Sequence, residues 1–261
     1  MVVLADLLAD LNDESRDLER LVCDLSEADW RRETPAPGWT IAHQIAHLHW
    51  TDRAATLSAT DPAGFAEILA PAAEDPQGFV DRGARDCLAP PAELLTRWRD
   101  GRADLAAALV GIPRDTRLPW FGTELTPPTA ATARLMETWA HGEDVAAALS
   151  VIRMPTARLR HVAFLGVRTM RYGFLAHGRP APTDPVYVEL LAPEGATWAY
   201  GPADAANRVI GPALDFCLLV TQRSHPDDLA LDATGPVAKE WLTVAQAFAG
   251  PPGAGRPRAA P

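Results

Sequence analysis

Leucine and valine residues recur at three- and four-residue steps through the first 25 residues of the chain. This spacing is the pattern of an amphipathic helix, whose apolar residues share one face. It predicts a first helix over residues 3–25, packed through that face against other helices. The residues that carry the pattern are Leu4, Leu7, Leu8, Leu11, Leu18, Leu21, Val22 and Leu25.

Breaker residues and renewed helical periodicity divide the chain up to residue 178 into further helices. Residues 34–39 read Thr-Pro-Ala-Pro-Gly-Trp, which predicts a turn, and Thr40 follows where an N-cap would begin a helix. Because no strand pattern is evident before residue 178, an antiparallel helical bundle is the simplest architecture for residues 1–178. The pattern predicts four more helices, over residues 41–58, 91–111, 130–149 and 156–177.

The composition changes at residues 178–185, where three prolines within six residues cannot continue a helix. We place the domain boundary there and predict a small α+β domain over residues 185–250. The tail, residues 251–261, is rich in proline and glycine and is predicted to be disordered. Within the second domain, the pattern predicts a hairpin from residues 186–190 and 198–200, then helices over residues 205–222 and 237–248.

Composition and charge exclude several classes of protein. Apolar residues make up 48% of the chain and charged residues 22%, as in a globular protein with a sizeable core. A formal charge of −10 without a clustered basic segment argues against nucleic acid as a partner. The first residues lack the basic region of a signal peptide, and no run of ~20 apolar residues marks a membrane span. Cys23, Cys87 and Cys217 form no C-x-x-C pattern, so we expect a cytoplasmic protein without disulfides.

Potential metal ligands lie on two of the predicted helices at four-residue spacing. His43 and His47 share a face of the second helix, whereas His49 is turned ~200° from His47. Glu137 and His141 share a face of the fourth helix. A carboxylate and an imidazole on one helix, opposite an imidazole on its neighbour, would leave open positions on a metal ion. That arrangement is typical of a catalytic zinc site.

The spacing admits other interpretations. A Glu-x-x-x-His pair is more often a solvated polar face of a helix than a pair of ligands. Taken alone, His43 is a partner of the site or a bystander. Asp144 is either a hydrogen-bond partner of a ligating imidazole or an exposed carboxylate. No cysteine has an activating neighbour, so none is expected to be a nucleophile.

Two motifs resemble those of a known enzyme superfamily. The Pro-Gly-Trp-Thr sequence at residues 37–40, followed by Ala-His-Leu at residues 46–48, resembles the first signature of the DinB-like, mycothiol-dependent maleylpyruvate isomerase superfamily. Glu-x-x-x-His-x-x-Asp at residues 137–144 resembles its second metal motif. The chain also resembles a narrower actinobacterial subgroup that has no settled activity. The resemblance implies a helical bundle that binds a divalent metal, with zinc the expected ion, through His47, Glu137 and His141.

A weaker resemblance covers the segment after residue 185. Its predicted hairpin and helix resemble the sterol-carrier-like domain that follows the bundle in those isomerases, where a helix-end arginine faces the metal cleft. That likeness implies a catalytic role for Arg223, and His43 is the second catalytic candidate. From the residues alone, Arg223 is equally a surface cation at a helix C-terminus, which the macrodipole favours by ~0.3–1 kcal/mol.

The resemblance implies an enzyme that acts on a small, anionic carbonyl substrate in a cleft between the domains. In the family's isomerase, the thiol of mycothiol adds to a conjugated double bond, rotation follows, and elimination returns the trans isomer. Mycothiol is therefore the implied cosubstrate, although thiol transfer or hydrolysis would suit the same site. The rival hypothesis is a non-catalytic protein that binds a metal or an apolar small molecule. The oligomeric state stays open.

Overall fold

The computed structural model describes residues 3–75 and 78–258, and the chain divides into two compact units at Arg153 and Met154. The architecture is mainly α, with a small sheet in the second unit, as predicted. Within the described residues, no helix has both the length and the apolar composition needed to cross a membrane.

The first unit is a helical bundle built around four long helices. A short two-stranded hairpin precedes the last of them. Its helices are α1 (Leu4–Val22), α2 (Glu27–Trp30), α3 (Ile41–Thr60), α4 (Pro62–Glu74), α5 (Phe79–Asp86), α6 (Pro91–Val110) and α7 (Pro127–Ala148), and its strands are β1 (Leu118–Trp120) and β2 (Thr123–Leu125).

Helix α3 lies at the centre of this unit, where it packs against α6 and α7, while α1 packs against α7. The contacts bury a continuous apolar core, in which each large side chain contributes ~1.5–3 kcal/mol of transfer free energy. The core includes Leu18, Val22, Trp30, Ile41, Ile45, Leu48, Leu94, Trp98 and Val145.

Buried ion pairs join the same helices. Arg134 on α7 donates from Nε to Asp52 Oδ1 on α3 at 2.8 Å, and both side chains are almost fully buried. Arg153, after α7, donates to Glu143 at 2.9 Å and also pairs with Glu14 on α1. Because an unpaired charge is costly in such an environment, each of these charges lies beside a group of opposite charge.

The second unit is an α+β structure in which two helices precede a four-stranded sheet. Strand order is β4-β3-β5-β6; β3 pairs antiparallel with β4 and parallel with β5. Its elements are α8 (Leu159–Arg168), α9 (Met170–Ala176), β3 (Val186–Leu191), β4 (Thr197–Tyr200), β5 (Asn207–Pro212), α10 (Ala213–Val220), a 3-10 helix (Pro226–Asp228), β6 (Asp232–Thr234) and α11 (Pro236–Leu242).

Several predictions about elements are confirmed and others are wrong. The first helix and the hairpin of β3 and β4 are confirmed. The helix predicted over residues 205–222 is wrong in its first half, because β5 pairs there with β3, and α10 begins only after Pro212. The absence of strands before residue 178 is also wrong, since β1 and β2 form a hairpin.

The boundary between the units lies before the position predicted from the prolines at residues 178–185. The helix predicted over residues 156–177 is two helices, and α8 packs against α10 and β4 within the second unit. Gly166 permits this close packing, because a Cβ there would lie 2.8 Å from a methyl group of Val220. The predicted boundary at residue 178 therefore differs from the division of the chain into compact units.

The C-terminal segment after α11 forms neither helix nor strand over residues 251–258. Arg258 nevertheless lies 3.6 Å from Asp227, so this stretch contacts its own unit. The remainder of the predicted disordered tail, residues 259–261, lies outside the described residues.

Candidate metal centre

A tight turn at residues 34–39 leads into α3, the helix that carries the first predicted ligand. The backbone N–H and the hydroxyl of Thr34 both donate to the Trp39 carbonyl, each at 2.8 Å. Gly38 has φ of +75°, a left-handed conformation that favours glycine. Thr40 then caps α3, with its hydroxyl 2.8 Å from His43 Nδ1. The turn and the cap therefore define where the ligand-bearing helix starts.

Helix α7, which carries the other two predicted ligands, is buried on nearly every side. Fifteen of its 22 residues are buried, so it has no continuous solvated face. His141 is 8% exposed and the side chain of Glu137 is 20% exposed. Polar groups in such an environment need partners within the protein. The interpretation of this pair as a solvated polar face is therefore wrong.

The structure brings His47, Glu137 and His141 together. Each offers one potential ligand atom, and these atoms lie within 4.8 Å of one another. Glu137 Oε2 lies 3.1 Å from His141 Nε2 and 3.4 Å from His47 Nε2. Two ligand atoms of a tetrahedral zinc ion, at bond lengths of ~2.0–2.2 Å, lie ~3.3 Å apart. The two distances from the Glu137 oxygen are thus close to those between ligands of one metal ion, so these three residues could hold a metal ion.

The charge state of Glu137 is governed by these two imidazoles. Burial raises the pKa of its carboxyl, but the hydrogen bonds and charges of His141 and His47 outweigh this effect and hold the pKa well below its usual value. The carboxylate is therefore an anion at neutral pH. An anionic oxygen beside two imidazole nitrogens is a suitable donor set for a divalent cation.

Gln44 is a member of the site that the sequence analysis missed. Its Oε1 is in hydrogen-bond contact with His141 Nδ1, and its Nε2 donates to Thr34 Oγ1 at 2.8 Å. The sequence does carry one signal for it: an amide three residues before His47 shares a helix face with that ligand. Its partner, however, lies 97 residues away in the sequence.

Two tryptophans border the imidazoles. The Trp39 ring stacks on His141 with centroids 6.0 Å apart and lies 5.3 Å from His47, and its Nε1 donates to Asp81 at 3.0 Å. The Trp50 ring lies 5.9 Å from His47. These rings restrict the positions that the imidazoles can adopt, so both belong to the site.

His43 lies outside the triad. Its Nδ1 accepts the Thr40 backbone N–H at 3.3 Å within the helix cap, and its ring stacks on Trp39. Burial lowers the pKa of His43, and the nearby Arg85 lowers it further, against the opposing effect of Asp81. His43 is therefore a neutral imidazole at physiological pH.

Arg223 lies in the second unit, just beyond the C-terminus of α10. Its backbone N–H donates to the Leu218 carbonyl at 2.8 Å, and Gln222, at φ of +58°, donates to Leu219, so the helix ends in a Schellman motif. The Arg223 guanidinium donates to the Thr221 carbonyl at 2.7 Å. This contact agrees with the alternative interpretation of Arg223 as a cation at a helix C-terminus. The catalytic role of Arg223 stays a prediction.

The remaining candidate residues differ in burial. Asp144 is buried, so the exposed alternative for it is wrong, and buried His49 does not join the triad. Cys23 is exposed, whereas burial raises the pKa of the Cys87 and Cys217 thiols. High thiol pKa values make these two cysteines poor nucleophiles at neutral pH.

Sequence models of known families match part of each unit. The sequence model of the mycothiol maleylpyruvate isomerase N-terminal domain family matches residues 11–146. A second model, described as wyosine base formation, matches residues 182–234. Two uncharacterised proteins of Mycobacterium tuberculosis, from strains CDC 1551 and H37Rv, are each 55% identical over 250 residues, covering 95% of this chain and 97% of the relative.

Solved structures of similar fold include a mycothiol-dependent maleylpyruvate isomerase and a histidine-to-alanine mutant of it. Each has a TM-score of 0.58 and 16% sequence identity, covering 89% of this chain and 93% of the other. At this identity the likeness establishes a shared fold and carries no information about the substrate.

Proposed function

The chain belongs to the mycothiol maleylpyruvate isomerase N-terminal domain family, and from that premise we propose that it is a metal-dependent enzyme of the isomerase or thiol-transferase kind. The proposed substrate is a small, anionic carbonyl compound, and mycothiol is the proposed cosubstrate. The observation that carries the proposal is the buried cluster of His47, Glu137 and His141, whose ligand atoms lie within 4.8 Å of one another.

These three residues would hold the metal ion. We propose zinc, because two imidazole nitrogens and one carboxylate oxygen are a common ligand set of catalytic zinc, which keeps open positions for substrate. When bound, zinc supplies a Lewis acid for a carbonyl oxygen and stabilises a thiol in its thiolate form. The anionic state of Glu137 and the buried positions of His47 and His141 support this assignment.

Residues other than the three ligands would organise the reaction. Trp39 and Trp50 shield the imidazoles from water, which strengthens electrostatic interactions at the site. His43 is neutral and adjoins Trp39, so it is suited to accept and return a proton. Arg223 is proposed to bind a substrate carboxylate, for which a guanidinium is well suited.

The proposed reaction uses an external thiol. Its sulfur, after loss of the thiol proton, forms a bond to one carbon of a conjugated C=C bond, and the electron pair moves toward the carbonyl oxygen. Rotation about the resulting single bond is followed by cleavage of the C–S bond, which restores the double bond and releases the thiol. No protein nucleophile is needed, because the external thiol itself bonds to carbon, and Cys87 and Cys217 are buried with raised pKa values. The proposed location is the cytoplasm, where low-molecular-weight thiols are kept reduced.

Thiol dependence tests the proposal. We expect zinc-loaded protein to isomerise cis-unsaturated keto acids, maleylpyruvate among them, only when mycothiol is supplied, and Glu137→Ala to be inactive in the same assay. Turnover is followed by ultraviolet absorbance of the conjugated acid. Zinc binding without thiol-dependent turnover of any acid in the panel would contradict the enzyme and favour the alternative, a non-catalytic metal- or small-molecule-binding protein.

The role of Arg223 is tested by comparison with another arginine of the same unit. We expect Arg223→Ala to lower kcat/KM for an anionic substrate about 10- to 150-fold, the equivalent of a lost charge-assisted hydrogen bond of ~1.5–3 kcal/mol. Arg179→Ala is the control, because Arg179 is a surface residue paired with Glu240. If both variants have the same kcat/KM, Arg223 only caps its helix.

A further inference from the structure

Gln44 is a fully buried amide in an otherwise apolar part of α3. It lies between Ile41 and Ile45, both also fully buried, and three residues before His47. Burying an amide without hydrogen bonds is unfavourable, so a buried amide is expected to have partners within the protein. Both ends of the Gln44 side chain are in fact used, one toward Thr34 and the other toward His141.

The hydrogen-bond chain determines which end of the amide faces which partner. The Thr34 hydroxyl has a single proton, and it donates that proton to the Trp39 carbonyl at 2.8 Å, because a carbonyl can only accept. Toward Gln44 the hydroxyl must therefore accept, so the amide nitrogen faces Thr34. The amide oxygen consequently faces His141 Nδ1, and this oxygen can only accept. His141 must carry its proton on Nδ1.

A proton on Nδ1 determines what His141 presents at Nε2, on the other side of the ring. In the neutral ring, Nε2 then presents a lone pair, and it lies 3.1 Å from Glu137 Oε2, which is also an acceptor. Two acceptors at that distance require a cation between them, either an added proton or a metal ion. The His141 ring is thus presented with its lone pair toward the position that a metal ion would occupy.

We propose that Gln44 is a positioning residue: it holds His141 as the Nδ1–H tautomer and orients its ring, and it thereby raises the affinity of the site for zinc. The inference rests on the proposed function, because it assumes that the triad binds metal. The Thr34 and Trp39 contacts connect Gln44 to the turn before α3, and the Trp39 ring also stacks on His141 at an interplanar angle of 19°. The turn therefore supports the ligand twice, through its carbonyl and through its indole.

The imidazoles of His141 and His47 differ in whether Nδ1 has a hydrogen-bond partner. Among residues 3–75 and 78–258, His47 Nδ1 meets no hydrogen-bond partner. Partners of this kind typically change metal affinity 10- to 100-fold when they are removed. We therefore expect the zinc affinity of the site to depend on Gln44 through His141.

Two measurements test the role of Gln44. The first is ¹⁵N NMR of the imidazoles in metal-free wild-type protein, in which His141 Nδ1 should carry a proton, whether or not Nε2 shares a second proton with Glu137. The second is zinc affinity by competition with a chromophoric chelator. Gln44→Leu, which removes the acceptor for Nδ1–H, should bind zinc about 10- to 100-fold more weakly.

Ser58→Ala is the matched control, because Ser58 is a buried polar residue on the same helix that donates to the Pro119 carbonyl at 2.6 Å. It should leave zinc affinity unchanged. An Nε2–H tautomer of His141 in wild-type protein, or wild-type zinc affinity in folded Gln44→Leu, would overturn the inference. Failure of wild-type protein to bind zinc would instead overturn the proposed function, and the tautomer measurement would still decide the role of Gln44.

Discussion

Alanine in place of His47, Glu137 or His141 should strip zinc from the purified protein. Zinc bound by four protein ligands in small domains is held by ~10–16 kcal/mol, so each ligand contributes roughly 2.5–4 kcal/mol. Loss of one ligand of three should therefore weaken binding about 100-fold or more. Elemental analysis after gel filtration gives the zinc content, and a competing chelator gives the affinity.

His43→Ala is the control for this set. His43 is on the same helix as His47 and contacts Trp39, but its Nδ1 is engaged in the cap of α3. It should retain zinc and alter at most the activity. Circular dichroism establishes that each variant is folded. Full zinc content in the Glu137 and His141 variants would refute the site, and loss of zinc in His43→Ala alone would mean that the other imidazole of the pair is the ligand.

Breaking the ion pair of Arg134 and Asp52 should cost the protein much of its stability. The two side chains are 2% and 5% exposed, and Arg134 Nε lies 2.8 Å from Asp52 Oδ1. Removing one partner leaves a charge buried without compensation, which typically lowers the free energy of unfolding by about 3–5 kcal/mol. We expect Arg134→Met to lower the free energy of unfolding by about that amount. Urea denaturation of metal-free protein at neutral pH measures the loss.

The double variant Arg134→Met with Asp52→Leu is the appropriate control. Replacing both partners by apolar residues of similar size is often neutral or stabilising, because no charge stays buried. Among the described residues, Arg134 Nη2 has no hydrogen-bond partner, so the native pair does not fully offset the cost of its own burial. The double variant should therefore recover most of the stability. A single variant that loses less than ~1 kcal/mol would show that the pair behaves as a surface salt bridge.

The long helices and the shared face of Glu137 and His141 were accessible from the sequence, because both depend on short-range periodicity. Glu137 and His141 are one turn apart, so any helix through them places both on one side. The pairing of these residues with His47 came from the family resemblance, since the helix spacing alone equally describes a solvated face. Helix α7 is buried on nearly all sides, a tertiary property that excludes the solvated-face interpretation.

Features that depend on distant contacts were not accessible in the same way. Strand β5 is a strand because Val209 pairs with Val188 in a parallel register, a contact across 21 residues that local apolar periodicity does not reveal. The division of the chain at Arg153 similarly depends on the packing of α8 against α10. Gln44 was missed for the same reason, because its role is defined by His141 on another helix.

The ligand set itself is the central claim, and X-ray absorption spectroscopy at the zinc edge tests it most directly. For zinc-loaded protein without added thiol, the account predicts nitrogen and oxygen neighbours at about 2.0–2.2 Å, with outer-shell scattering from two imidazoles and no sulfur. A sulfur neighbour at about 2.3 Å would place a cysteine in the site and contradict the assignment of His47, Glu137 and His141. A zinc ion surrounded by oxygen alone would also contradict this assignment.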